Sequence, residues 1–119
     1  MARLRQRRRR RADLVKRGEI WLCALDPTVG REIQKTRPCL IVSPDQLNAR
    51  LPTVIVAPLT SGSRPARYRV DIRFQGKDSR IIPEQVRAID RRRARKLLGE
   101  LDAEAIRDVL RILQEMFAE

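Results

Sequence analysis

Short runs of aliphatic and β-branched residues recur along most of this chain, and Gly, Pro or Asp breaks off each run within a few residues. Runs of this kind predict β-strands at residues 19–25, 39–43 and 53–59, followed by a half-exposed strand at 68–74 whose apolar and polar residues alternate. All five glycines fall at the boundaries between predicted elements. We therefore expect a mainly β fold, a small curled sheet or barrel.

The second half of the chain continues the pattern. Two short strands interrupted at Pro83 are predicted within residues 79–90, and a short helical turn running into a last strand is predicted within residues 91–101. Pro58 lies inside the third strand and cannot donate to a central ladder, so it predicts an edge or a bulge just before Thr60. A short helical turn is expected after Pro44, with Asn48 near its end.

A C-terminal helix completes the predicted fold. Asp102 is a favourable N-cap, and Leu101 and Ile106 have the spacing of a hydrophobic staple. The helix should cover the core with one apolar stripe. Its members are Ile106, Val109, Leu110, Leu113, Met116 and Phe117.

Length and composition limit the class of protein. The 119 residues suit a single domain with one modest core. No apolar run is long enough to cross a bilayer, and the N-terminus lacks the apolar region of a secretory signal, so the expected location is the cytoplasm. Cys23 and Cys39 lie within apolar strand patterns and are expected to be buried thiols. With no His and two Cys, neither a zinc site nor another cofactor is expected.

The positive charge is concentrated at the N-terminus. Residues 1–17 hold nine basic residues and one Asp, which accounts for +8 of the net charge of +12. We therefore divide the chain into a basic N-terminal arm at 1–14 and a domain at 15–119. The arm is either a solvated, disordered tail or an element that attracts phosphates, with an effect that weakens as salt rises.

Missing motifs narrow the possible chemistry. The chain has no Gly-rich phosphate loop, no nucleophile elbow and no imidazole, so acid–base chemistry near neutral pH must use carboxylates, hydroxyls, Lys or Arg. Polar residues at predicted strand ends and in loops remain as anion-binding candidates, because arginine presents a planar fork to phosphate oxygens. They are Arg31, Glu32, Lys35, Thr36, Arg37, Thr60, Ser61, Ser63, Arg64, Glu84, Gln85 and Arg87.

Three segments in order carry a resemblance to a known family. RGEIWLCALDPTVGREIQKTRPCLIVSPDQLN, then VIVAPLTSGS, then PEQVRAID resemble the MazF/PemK toxin endoribonucleases, from about Lys16 to the C-terminus. The resemblance implies an SH3-like barrel of the CcdB/MazF type that forms a homodimer. It also implies metal-independent, sequence-selective cleavage of single-stranded RNA within a type II toxin–antitoxin module. The inhibitor would be a cognate antitoxin with an acidic disordered segment.

The same resemblance assigns residue roles. Arg37 matches the arginine of the family's Arg-Pro motif, Thr60 the threonine that ends the third strand, and Glu84 an acidic position used in some members, so these three are the expected catalytic residues. The substrate's 2′-hydroxyl would attack phosphorus and leave a 2′,3′-cyclic phosphate and a 5′-hydroxyl. From the anion-binding candidates at strand ends and in loops, the residues expected to bind RNA are Arg31, Glu32, Lys35, Thr36, Ser61, Arg64, Gln85 and Arg87.

The chain also departs from the family pattern. Ile33 and Lys35 stand where many members have Gln and Gly, so the loop should be less flexible and more basic. Some members have an arginine two residues before the acidic position, where this chain has Ile82, so the role of that arginine is lost or taken over by a neighbour.

Several roles stay open at this stage. Glu84 is either a general base, which would require a raised pKa, or a structural partner of Arg87 or Arg80. The aromatic residues Trp21, Tyr68 and Phe74 either stack on bases or pack in the core, and the three arginines at 91–93 are expected to form a solvated face.

Two other functions are compatible with such a barrel. One is a non-enzymatic gyrase-binding toxin of the CcdB type, although this chain ends in Met-Phe-Ala-Glu and not in the Trp-Gly-Ile tail of those toxins. The other is a passive RNA-binding barrel protein, for which the basic arm is the best argument.

Overall fold

The computed structural model describes residues 15–25, 36–62 and 68–119, and the predicted arm at 1–14 lies outside this part. Within it, every predicted strand is present, and two single-turn 3-10 helices flank the sixth strand. The strands are β1 (Glu19–Ala24), β2 (Thr36–Ile41), β3 (Thr53–Thr60), β4 (Val70–Phe74), β5 (Lys77–Ile81), β6 (Arg87–Asp90) and β7 (Ala94–Glu100). The helices are α1 (Asp45–Asn48), α2 (Ala103–Phe117) and the 3-10 turns Pro83–Gln85 and Arg91–Arg93.

The strands form an antiparallel sheet in the order β4-β5-β3-β2-β1-β7, and β6 pairs with β3 outside this path. β3 is the central strand and changes partner along its length. Its residues 53–56 pair with β6, whereas residues 59 and 60 pair with β5. The mainly β fold with a C-terminal helix is therefore confirmed.

Pro58 lies where β3 changes partner. Its carbonyl accepts a hydrogen bond from the Ile82 amide at 3.0 Å. Because the N–H and C=O of one strand residue point to the same edge, the donor that Pro58 lacks falls at the junction between β6 and β5. The predicted edge or bulge is therefore wrong, because Pro58 lies inside a central strand, at the point where β3 exchanges β6 for β5 as its partner.

Two apolar clusters lie on opposite faces of β1, β2 and β3. One combines Trp21 and Ile41 with Ile89 of β6 and Ala94 of β7, so the sheet curls around it. The other combines Leu40 and Ala57 with residues of the β4–β5 hairpin and of α2, which cover it. The Phe74 ring packs against the second cluster and lies 3.4 Å from where a side chain on Gly99 would begin, so β4 and β7 approach each other.

Burial settles several predictions about single residues. Cys23 and Cys39 are free, buried thiols, as expected, and the hydrogen bond with Cys39 together with burial raises the pKa of Cys23. Trp21 is 2% exposed and donates its ring N–H to Glu19 at 3.0 Å, so it is a core residue and does not stack on bases.

The C-terminal helix begins as predicted. Asp102 accepts a hydrogen bond from the Ala105 amide at 2.8 Å, and Val109 is fully buried on the face of the helix that packs against the second cluster. The predicted stripe is wrong at its end, because Phe117 is 73% exposed in the last turn of α2. No helix in the described part of the chain is long and apolar enough to cross a membrane.

Candidate functional site

The ends of β2 and β3 bring Arg37 and Thr60 together. The two strands pair Cys39 with Pro58 and Leu40 with Ala57, and continuing this register by two residues sets Arg37 opposite Thr60. Alternation along β2 places Arg37 on the same face as the buried Cys39. Arg37 therefore lies at the rim of the first apolar cluster, where the interior of the curled sheet meets the surface.

The guanidinium of Arg37 is partly buried and has no counter-charge in the part of the chain that the structure describes. Pro38 holds the backbone before it in extended geometry, which fixes where the side chain starts. Neighbouring arginines are instead paired with carboxylates. These pairs are Arg69–Glu84, Arg73–Asp78 and Arg80–Asp71. A partly buried, uncompensated guanidinium favours the binding of an anion.

The Thr60 hydroxyl is oriented by its own backbone. Its Oγ1 accepts a hydrogen bond from the Gly62 amide at 3.2 Å, which is the local contact that threonine commonly makes at the end of a strand. A hydroxyl that accepts in this way still has a proton to donate. The hydroxyl is thus oriented next to Arg37 and can donate to an anion held there.

Two cavities share Arg37 and Thr60 as a common wall. The first, of about 350 Å³, extends toward the β4–β5 hairpin and is also lined by Thr36, Pro38, Leu59, Ser61, Phe74, Gln75, Lys77 and Ser79. The second, of about 520 Å³, extends the other way and is also lined by Leu25, Pro58, Leu59, Gly62, Arg69, Ile82, Gln85 and Arg87. An anion beside Arg37 would therefore have space on both sides.

Four of the residues predicted to bind RNA line these cavities. Thr36 and Ser61 belong to the first, and Gln85 and Arg87 to the second. The other four, Arg31, Glu32, Lys35 and Arg64, lie outside the described residues.

Glu84 forms an ion pair with Arg69. Its Oε2 accepts hydrogen bonds from Arg69 Nε at 3.0 Å and from Nη2 at 2.6 Å. The hydrogen bond from Arg69 holds the pKa of Glu84 below the usual value of a Glu carboxyl, although burial opposes the shift. A general base would require the opposite shift. The partner also differs from the two that the sequence indicates, Arg87 and Arg80.

Arg69 is the site residue that sequence reasoning missed. It lines the second cavity, and its side chain is 21% exposed. Fifteen residues separate it from Glu84, and the alternating pattern of the strand around it marks it only as a polar position. The one signal in the sequence was Ile82, which left open whether a neighbour supplies the arginine that some relatives have there.

Comparison with known proteins identifies the family. The family model described as PemK-like, MazF-like toxin of type II toxin-antitoxin system matches residues 16–117. Endoribonuclease EndoA of Bacillus subtilis is 36% identical over 107 residues, which cover 85% of this chain and 92% of that protein. Endoribonuclease PemK of Escherichia coli is 56% identical over 61 residues, which cover 50% of this chain and 44% of PemK.

Solved structures share the fold. MazF from Deinococcus radiodurans superimposes with a TM-score of 0.73 at 23% identity, over 86% of this chain and 94% of that chain. A MazE-MazF structure from the same organism gives a TM-score of 0.74 at 22% identity, with 86% and 94% of the two chains covered. The chain belongs to the PemK-like, MazF-like family of toxins of type II toxin–antitoxin systems.

Proposed function

We propose that this chain is a toxin that cleaves single-stranded RNA in the cytoplasm, by attack of the substrate's own 2′-hydroxyl, and so inhibits translation and growth. One observation carries the proposal: the partly buried guanidinium of Arg37 has no counter-charge among the described residues. It lies across from the Thr60 hydroxyl, which a backbone contact orients. Three relatives in the family are named endoribonucleases. This favours the nuclease over the gyrase-binding and passive RNA-binding alternatives.

The chemistry is a transesterification within the substrate. The 2′-oxygen forms a bond to phosphorus and loses its proton, while the bond from phosphorus to the 5′-oxygen breaks and that oxygen takes up a proton. Arg37 stabilises the negative charge that develops on the phosphate, and Thr60 donates a hydrogen bond to one of its oxygens. The products are a 2′,3′-cyclic phosphate and a 5′-hydroxyl, and the protein supplies no nucleophile.

The two cavities provide a path for the nucleotides on either side of the cleaved phosphate. Arg69 and Arg87 line the larger one and Lys77 the smaller, so each side has a cation for the RNA backbone. Clefts of this kind suit unpaired nucleotides, whose bases can turn away from the backbone and into a pocket.

Within this mechanism, Glu84 acts through Arg69. The carboxylate accepts two hydrogen bonds from one guanidinium, and its lowered pKa makes it a weak proton acceptor. We assign Arg69 to contact with the RNA backbone and Glu84 to holding Arg69 in place. Arg69 would then take over the role of the arginine that some relatives carry at the position of Ile82.

The test uses the full chain and one long RNA in the presence of a chelator. We expect cleavage with EDTA, fragments with 5′-hydroxyl ends, and no cleavage where the ribose at the cut is 2′-deoxy. Efficient cutting of the 2′-deoxy substrate would contradict attack by the 2′-hydroxyl, and an RNA left intact under all conditions would contradict the function.

We further propose that a homodimer of this chain is inhibited by an antitoxin with an acidic, disordered segment. The cations around Arg37 suit carboxylates as well as phosphates, so the antitoxin and RNA would compete for one groove. Solved relatives include MazE-MazF structures from Deinococcus radiodurans. The measurement is competition between the antitoxin and an uncleavable RNA, and a ternary complex with both affinities unchanged would contradict a shared groove.

A further inference from the structure

We propose that the tip of the β4–β5 hairpin is a nucleobase subsite, in which Gln75 selects the base of a nucleotide next to the cleaved phosphate. The inference rests on the proposed RNA cleavage and adds a specificity-determining residue outside the catalytic pair. It comes from the backbone of the hairpin turn and from the composition of the smaller cavity.

The turn itself is tight. Phe74 pairs with Lys77, so Gln75 and Gly76 alone connect the two strands. Both turn residues have positive φ, 54° at Gln75 and 78° at Gly76. Two-residue hairpin turns with this backbone favour Asn, Asp or Gly at the first position, because these residues tolerate the left-handed region.

Glutamine is therefore a poor choice for the backbone of this turn. Gln75 is the one residue other than glycine with positive φ in the described parts of the chain. Asn would carry the same amide with less backbone cost, and Gly would remove that cost. A disfavoured backbone conformation at the wall of a cavity points to a role for the longer side chain.

The cavity beside Gln75 combines an apolar wall with many hydrogen-bonding groups, which suits the flat face and polar edge of a nucleobase. Its volume is about 350 Å³, and its lining sets three apolar residues, Pro38, Leu59 and Phe74, among seven polar or charged ones. The catalytic pair, Arg37 and Thr60, forms the wall that this cavity shares with the larger one. A nucleotide whose phosphate contacts Arg37 would therefore have its base within the space that Gln75 lines.

The chemistry of the lining fits a base more closely than a second phosphate. The amide of Gln75 offers a donor and an acceptor side by side, which can form two hydrogen bonds to the edge of one base. Lys77 is the cation of the hairpin in this lining, and we assign it to the RNA backbone. The Phe74 ring packs against the second cluster and so forms an apolar wall.

The experiment compares Gln75→Asn and Gln75→Gly with the original chain on one long RNA, by mapping all cut ends and measuring melting temperature. The readout is the ratio of cleavage rates at sites that differ in a single base. Both variants should melt at or above the temperature of the original chain, while preference at one position beside the cut falls by roughly 10-fold. Gln46→Asn, an exposed glutamine on α1 that lines neither cavity, is the matched control and should leave the ratio unchanged.

Two outcomes would overturn the subsite. One is an unchanged base preference in both folded variants. The other is an equal loss of cleavage rate at every site, because the ratio of rates between sites would then stay the same. Lys77→Ala separates backbone binding from base selection, since it should weaken binding to all sequences and reduce the salt dependence. Failure of the original chain to cut any RNA would instead contradict the proposed function.

Discussion

At the scale of single residues, the site depends on Arg37, which has no carboxylate partner in the described residues, unlike the arginines around it. Arg69, Arg73 and Arg80 each pair with a carboxylate, whereas Arg37 pairs with none in the described residues. Charged groups are seldom partly buried without compensation, because desolvation is costly. An anionic substrate would remove this cost on binding, so the arrangement favours phosphate at Arg37.

Arg37→Ala should lower the cleavage rate by roughly 10²-fold or more while the fold is retained. Arg37→Lys should restore little, because a point charge does not reproduce the planar fork that contacts two oxygens. Thr60→Ala should reduce the rate less than Arg37→Ala. Single-turnover cleavage and thermal melting are the measurements, and Arg50→Ala, at an exposed position outside both cavities, is the control. Near-original rates in Arg37→Ala at equal stability would refute the assignment.

Glu84→Gln should raise KM more than it lowers kcat, because the change loosens Arg69 and leaves Arg37 in place. Between about pH 4 and 8 the shape of the rate profile should be retained, since Glu84 takes up no proton in the reaction. Loss of an acid limb in Glu84→Gln would instead identify Glu84 as the general base. The double variant Arg69→Ala/Glu84→Gln should have the same KM and kcat as Arg69→Ala alone, because Glu84 acts only through Arg69.

The same ion pair links stability to pH. The pKa of Glu84 is lowered in the folded state, so the contact contributes stability above the unfolded value near 4.5. That contribution is lost as pH falls through the lower folded value. Because the Glu84 side chain is 38% exposed, we expect the difference in melting temperature between Glu84→Gln and the original chain to be small at neutral pH and to vanish in acid.

At the scale of elements, the sequence predicted what local patterns determine. Alternation and turn residues located every strand, and the capping residue located the start of α2. β2 begins at Thr36, three residues before the predicted start, because the polar Thr36 and Arg37 pair with β1, and such pairing leaves no trace in local hydropathy. Phe117 fits the helical period but extends past the surface that α2 covers.

Some residues of the candidate site could likewise be predicted from the sequence and others could not. Arg37 and Thr60 were predicted because they belong to short motifs that the family shares. The Arg69–Glu84 pair joins the beginning of β4 to a 3-10 turn, and the role of Gln75 follows from its backbone angle. Glu84 belongs to the recognised PEQVRAID segment, but its partner Arg69 lies 15 residues earlier in no motif, and a backbone angle leaves no mark on the sequence, so neither feature could be predicted.

The N-cap of α2 gives a prediction for this element. Asp102→Ala should lower the free energy of unfolding by about 1 kcal/mol, because the Ala105 amide then loses its acceptor at the helix terminus. Asp102→Asn should keep most of the stability, since its side-chain oxygen can accept the same bond. Chemical denaturation measures the difference. If Asp102→Ala matched the original chain in stability, the cap would contribute nothing to the helix.

At the scale of the whole molecule, charge is divided between two parts. Residues 1–14 hold seven arginines and one Asp, a net +6, while residues 15–119 hold 20 basic and 14 acidic residues, the same net +6 spread over 105 residues. Unspecific attraction to phosphates would then come mainly from the arm, and the choice of cleavage site from the cavities around Arg37.

Deleting residues 1–14 should therefore weaken RNA binding at low salt and leave the cleaved positions unchanged. The slope of log affinity against log salt should become shallower by at most about 5, the limit if all seven arginines contact single-stranded RNA. Replacing the five arginines at 7–11 by Gln keeps the length of the arm and should reproduce most of the effect. Binding titrations at several salt concentrations and end mapping on one RNA measure both quantities. A changed set of cut sites in either variant would mean that the arm takes part in selection and belongs functionally to the domain.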